Sequence, residues 1–249
     1  MKTYKHLTVL FSIGFLLIVF TGCSEDDKSY FINDFNSSVR VIHASYDAPD
    51  VDVYLNDSVA IEDLPYGESS GYASVSSEIY DIDVTPAGSD TPVVIALTDF
   101  ALFPNVEITV FAMNELASIQ PVIADDFRYV LAGKARVRFV HASPDTPAVD
   151  IKVGAGDGDA VFSDVSFTDV EEYIDVDPGA YVFVVTAAGD TTPVLTFESV
   201  TIEDETVYSI LAIGTFDGED DYDLTVRVFI DNGAGDQFID LIPVIANGI

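Results

Sequence analysis

Val39-Arg40-Val41-Ile42-His43-Ala44-Ser45-Tyr46-Asp47-Ala48-Pro49-Asp50-Val51-Asp52-Val53 returns 98 residues later, from position 39 to position 137. The second copy reads Val137-Arg138-Phe139-Val140-His141-Ala142-Ser143-Pro144-Asp145-Thr146-Pro147-Ala148-Val149-Asp150-Ile151, and nine of the fifteen aligned positions are identical. The likeness resumes where Tyr80–Gly88 aligns with Tyr181–Gly189, and Thr91-Pro92-Val93 with Thr192-Pro193-Val194. There the offset is 101, so the second copy carries a three-residue insertion, placed by composition in Gly154-Ala155-Gly156-Asp157-Gly158-Asp159. A period near 100 residues means tandem domains, because solenoid units are shorter.

Each copy reads as all-β. In Val51-Asp52-Val53-Tyr54-Leu55, apolar residues alternate with Asp and Tyr, the pattern of a half-buried strand, and Val149–Val153 repeats it. Further strands are expected at Tyr72–Val75, Ile79–Thr85, Pro92–Leu97 and Val106–Met113. Their counterparts are Tyr173–Val176, Tyr181–Thr186, Pro193–Phe197 and Val207–Ile213. Short strands separated by Pro, Gly, Asn, Asp and Ser, with no helical period, predict two tandem immunoglobulin-like or transthyretin-like antiparallel β-sandwich domains. Asp177-Pro178-Gly179 is a turn signal between two of them. The junction is expected in Ala124–Lys134, which divides the chain into repeats 39–133 and 134–249.

The full chain has 249 residues, with 43 Asp plus Glu against 10 Lys plus Arg, and a formal charge of -33. A phosphate backbone needs a basic surface, so nucleic acid is excluded as a partner. With 49% hydrophobic residues the chain has enough apolar material for packed cores, which excludes general disorder. One Cys excludes an intrachain disulfide and a thiolate zinc cluster.

The amino terminus reads as a processing signal. Lys2 and Lys5 precede an uncharged apolar run, Leu7–Phe20, of signal-peptide length. Phe20-Thr21-Gly22-Cys23 follows, and the small residues before the Cys resemble the bacterial lipobox. That resemblance implies a lipoprotein signal peptide over 1–22 and lipidation of Cys23. Ser24-Glu25-Asp26-Asp27 resembles the export tag of Bacteroidetes surface lipoproteins. Residues 23–38 are expected to form an acidic tether. The implied location is the outer membrane, lipid-anchored and exposed at the cell surface.

The repeated His-Ala-Ser-Pro-Asp-x-Pro-x-Val-Asp pattern, with its Thr-Pro/Ala-Ala-Gly strand end, resembles domain-of-unknown-function family 4397. Two copies would cover nearly all of Ser37–Ile249, with Tyr46 replacing the usual Pro in the first. The resemblance implies an extracytoplasmic β-sandwich and no established catalytic activity.

His43, Ser45 and Asp47, like His141, Ser143 and Asp145, invite a Ser-His-Asp reading. Residues two apart on a strand stand about 6.5–7 Å apart, too far for a triad's contacts. The expectation is therefore architectural. His43, Ser45, Asp47, Pro49, His141, Ser143, Asp145 and Pro147 should end a strand and shape the following turn, with Ser or Asp oxygens accepting backbone N–H groups. Metal candidates are confined to acid-rich loops: Asp217–Asp223, Asp157 with Asp159, and Asp231 with Asp236. None has EF-hand spacing, so no metal site and no cofactor is assigned. The functional expectation is a lipid-anchored, non-catalytic cell-envelope surface protein, an adhesion or interaction module for an extracellular protein or glycan. A glycan-binding accessory lipoprotein is the alternative, and a secreted hydrolase ranks third.

Overall fold

Strands account for all regular structure among the described residues apart from one 3-10 turn, Leu116–Ser118. The computed structural model describes residues 35–154, 158–216, 223–233 and 237–241; Cys23, the apolar run and residues 217–222 lie outside these. The first repeat supplies β1 (Asn36–Ala44), β2 (Val51–Leu55), β3 (Ser58–Leu64), β4 (Ala73–Ser76), β5 (Ile79–Pro86), β6 (Ile95–Ala101), β7 (Glu107–Met113) and β8 (Gln120–Asp125). The second supplies β9 (Ala135–His141), β10 (Val149–Val153), β11 (Ala160–Val165), β12 (Ile174–Val176), β13 (Gly179–Tyr181) and β14 (Phe183–Ala187). It ends with β15 (Pro193–Thr196), β16 (Val200–Ile202), β17 (Val207–Ile213), β18 (Thr225–Ile230) and β19 (Phe238–Leu241).

Among the described residues no sheet mixes the repeats. The first contains sheets ordered β4-β1-β7-β8 and β3-β2-β5-β6. The second contains β12-β9-β17-β18-β19 and β11-β10-β14-β15, with β13 and β16 as a separate pair. Each repeat is thus a β-sandwich, and the chain is all-β. Pairing is not antiparallel throughout: β1 runs parallel to β7, and β9 parallel to β17.

These four strands explain the layering. Strands buried on both faces carry near-continuous apolar runs rather than clean alternation. In β1, Val39 and Val41 face the core of the first sandwich, while Ile42 and Ala44 join a different cluster. In β7, Ile108, Val110 and Ala112 take the first side, and Phe111 and Met113 the other. The second repeat does the same: Val137, Phe139, Tyr208 and Ile210 fill its own core, whereas Val140, Ala142, Leu211, Ile213 and Phe229 face outward. The outward sets meet in one shared cluster. The result is four layers, two sandwiches packed through their middle sheets, and residues 34–249 form a single unit.

Three departures from the sequence reading have local causes. β1 begins at Asn36, not Val39, because Ser37 is buried and its hydroxyl donates to Phe103 O at 2.6 Å; residues 36–38 therefore belong to the fold and not to the tether. The outer strands β3 and β11 escaped sequence reading because both are bulged, with Asp63 and Asp164 at φ 51° and 57° breaking any alternation, and β3 is mostly exposed besides. Asp177-Pro178 does interrupt the chain, but between two three-residue strands, β12 and β13.

Candidate functional site

Both His-Ala-Ser motifs close their strands on buried side chains. The Nε2 of His43 donates to Pro49 O at 3.0 Å, and its Nδ1 accepts the Ser45 backbone N–H at 3.3 Å. Those roles require the neutral Nε2–H tautomer. Burial lowers the His43 pKa, only partly offset by Pro49 O and Asp50. His141 repeats the bond to Pro147 O at 3.3 Å, and burial lowers its pKa likewise. Each imidazole also meets an aromatic edge, Tyr66 at 6.2 Å and Phe167 at 6.5 Å.

The serine hydroxyls do not approach these bases. Ser45 reaches His43 through its backbone N–H, and its buried Oγ has no hydrogen-bond partner among the described residues. Ser143 Oγ pairs with Thr146 Oγ1 at 2.6 Å and lies 3.4 Å from Asp145 Oδ1. The aspartates reach much farther than a local turn: Asp47 Oδ1 accepts Leu116 N–H at 2.6 Å, and both Asp145 oxygens accept Phe216 N–H at 2.9 and 3.0 Å. They tie the loop after β1 or β9 to the segment following β7 or β17. The arrangement offers no activated nucleophile.

The Asp of the Val-Asp-Val strand is equally structural, and it is buried rather than outward-facing. Asp52 Oδ1 accepts Asp63 N–H at 2.8 Å, while Oδ2 accepts Gly88 N–H at 2.9 Å. Asp150 makes the same pair of bonds to Asp164 and Gly189, both at 2.9 Å. All four donors sit in left-handed backbone, at φ 51°, 71°, 57° and 75°. One carboxylate therefore holds a bulge and a turn together on either side of the strand.

The largest charged assembly joins the repeats. Arg40 of the first repeat pairs with Asp231 of the second at 2.6 Å; Arg138, its equivalent in the second repeat, pairs with Asp126 of the first at 2.7 Å. Each Arg Nε donates to the hydroxyl directly opposite on its parallel partner strand, Arg40 to Thr109 at 3.0 Å and Arg138 to Ser209 at 2.7 Å. Those hydroxyls donate onward, Thr109 to Asp126 and Ser209 to Asp231, both at 2.7 Å. Tyr72 adds its hydroxyl to Asp126 at 2.8 Å, and Tyr173 to Asp231 at 2.7 Å. The two half-networks are reciprocal, the pattern of an isologous interface.

Burial alone would lower the Arg40 pKa; Asp231, Tyr72 and Asp126 outweigh it and hold the guanidinium above its ordinary value. Arg138 is raised in the same way by Tyr173 and Asp126. Burial above all pushes Tyr72 and Tyr173 upward, so both phenols remain donors. Asp231, a metal candidate on sequence grounds, is wholly buried and committed to Arg40, Tyr173 and Ser209. Its proposed companion Asp236, and Asp157 and residues 217–222, lie outside the described residues. Among the described residues no cluster of His, Cys, Asp and Glu is arranged to hold a metal ion.

Sequence reasoning passed over Arg40, Arg138, Thr109, Ser209, Tyr72, Tyr173 and Asp126. A signal existed for the arginines, since an identical basic residue inside an apolar strand recurs in a chain with only 10 Lys plus Arg.

A family model described as "Domain of unknown function (DUF4397)" matches residues 37–152 and 154–236. No curated protein matches the chain. Among solved structures, a carbohydrate-binding module of family CBM26 from Eubacterium rectale Amy13K, crystallised with maltoheptaose, is matched at 10% identity. The match covers 77% of this chain and 95% of that one, with a TM-score of 0.22. A likeness that loose transfers neither ligand nor site.

Proposed function

Since the chain belongs to the DUF4397 family of domains of unknown function, whose name specifies no reaction, we propose its role from its own residues: a lipid-anchored, non-catalytic surface protein of the bacterial envelope, working as an adhesion or interaction module. The observation that carries the non-catalytic part is the fate of the repeated motif. Burial lowers the pKa of both His43, held between Pro49 O and the Ser45 N–H, and His141, which bonds Pro147 O, and Asp47 and Asp145 are spent on distant backbone N–H groups. A nucleophile needs its base within hydrogen-bond reach, and Ser45 meets His43 only through its amide.

Anchoring rests on Thr21-Gly22-Cys23 behind the apolar run Leu7–Phe20. Thioether-linked lipid on that Cys, followed by the acidic stretch Ser24–Asp27, would hold a strongly negative body away from anionic headgroups, which otherwise repel it. Outer-membrane display at the cell surface is the location this reading entails. Replacing Cys23 by Ala in the producing bacterium should move the protein from membranes to the soluble fraction. A mature, lipid-free amino terminus at any residue other than Cys23, seen by mass spectrometry of the wild type, would defeat the anchor.

A further inference from the structure

On one flank of the seam between the repeats lies a cleft of about 230 Å³. Asp125 and Phe127 line it from the first repeat and its outgoing chain, and Arg138, Glu171, Glu172 and Tyr173 from the second. Its floor is already neutral, because buried Arg138 is paired with Asp126. Its walls are not. No ion pair among the described residues uses Asp125, Glu171 or Glu172. Partial burial, with Asp169 and Glu172 nearby, raises the Glu171 pKa, the mark of acids crowded without a cation. Beside them Phe127 is 61% exposed.

An aromatic ring flanked by carboxylates recurs in this chain, and elsewhere an arginine completes it. Arg128 lies 3.8 Å from the Tyr72 ring centre while pairing with Glu107; Arg227 lies 4.1 Å from Phe238 while pairing with Asp240. Arg136 does the same over the Tyr173 ring at 5.4 Å, paired with Asp175. At the cleft the neighbouring guanidiniums are already spent, Arg138 on Asp126 and Arg136 on Asp175 and the Phe127 carbonyl at 2.8 Å, so among the described residues the Phe127 ring and the carboxylates of Asp125, Glu171 and Glu172 have no arginine paired with them. Nor does folding of the repeat require the acids: Glu171-Glu172 stands where the first copy has Ser70-Gly71.

We propose that this cleft is a docking site for an arginine side chain of a basic partner polypeptide. A planar guanidinium stacks on Phe127 and donates its edge N–H groups to carboxylates, which a lysine ammonium does less well. The formal charge of -33 steers such a partner inward at low salt. A neutral glycan would gain nothing from that field and would leave the clustered acids uncompensated. The proposal deepens the interaction-module reading and rests on it, while remaining independent of the anchor.

The test uses the full chain in detergent, titrated with tri-arginine amide by calorimetry and followed by amide chemical shifts. Expected is one site per chain, shifts centred on Phe127, Glu171 and Glu172, and weaker binding of tri-lysine amide. Glu171→Gln/Glu172→Gln and, separately, Phe127→Ala should each weaken binding at least about tenfold. Glu62→Gln/Glu198→Gln, which removes the same charge from exposed positions elsewhere, should change it less than about twofold. Equal losses in both acid pairs would reduce the effect to the general surface field and overturn the site. So would cleft shifts produced by maltoheptaose and not by tri-arginine, which would make it a neutral-glycan cleft. Solubility of the Cys23→Ala protein is read separately, so the anchor and the cleft can fail independently.

Discussion

Replacing Asp231 by Asn tests the reciprocal network with almost no change of volume. Asp231 is fully buried and accepts from Arg40 at 2.6 Å and from Tyr173 and Ser209, each at 2.7 Å. Asn keeps one carbonyl acceptor and removes the charge, leaving Arg40, itself 2% exposed, as an uncompensated buried cation. Breaking one side of a buried pair costs roughly 3–5 kcal/mol. A unit of this size has about 5–15 kcal/mol to lose, and at roughly 2–4 °C per kcal/mol the melting midpoint should fall by about 6–20 °C. Urea unfolding and calorimetry of the wild type, Asp231→Asn, Arg40→Met and the double variant supply a cycle. Because the singles each strand a charge and the double strands none, the double should cost about 2–3 kcal/mol less than their sum. Asp177→Asn, which breaks only the exposed Lys134–Asp177 pair, should leave the midpoint unchanged. An Asp231→Asn cost below about 1 kcal/mol, additive with Arg40→Met, would refute the network as a joint between the repeats.

Asp150→Ala removes both acceptors of the Asp164 and Gly189 amides and should cost about 3 kcal/mol, with Asp52→Ala similar. Hydrogen exchange checks the site: those two amides should lose protection before the strands around them. Stability should also fall with mild acid, since both folded imidazoles have pKa values below the ordinary 6.5 and the unfolded chain therefore takes protons first. That contribution is complete above pH about 6.5 and is lost as the pH falls through the folded values. Urea midpoints between pH 7.5 and 5 should drop less steeply for His43→Gln/His141→Gln than for wild type, and identical slopes would contradict it.

The fold was legible where one face alone is buried or where a sequence repeats. Val51–Leu55 and Val149–Val153 announced themselves by alternation, and the recurrence of His43 to Asp52 at His141 to Asp150 announced two sandwiches. The parallel pairing of β1 with β7 was not legible, since Val39–Ala44 and Ile108–Met113 are apolar on both faces and periodicity cannot say which neighbour each face meets. Asp52 reads outward in a two-residue period, yet its carboxylate replaces water with two backbone donors, a substitution visible only once Asp63 and Gly88 are placed. The cross-repeat partners are harder still. Arg40 and Asp231 lie 191 positions apart, and nothing local to either names the other. The cleft joins Phe127 to Glu171 and Glu172 only because the two sandwiches meet, so its parts read singly as an exposed aromatic and two more acids in an acidic chain.

The exchange of arginines, Arg40 to Asp231 and Arg138 to Asp126, is the bonding two identical subunits would make about a dyad. Here both subunits hang on one chain, joined through residues 126–134, so their faces meet at an effective concentration of roughly millimolar or more, whatever the dilution of the protein. Association has become a property of the molecule and no longer of its abundance. Fusion also removes a constraint. A homodimer can alter its interface only in both copies at once, whereas a tethered pair can keep Ser70-Gly71 on one side and carry Glu171-Glu172 on the other, and so gain a face that symmetry would have forbidden.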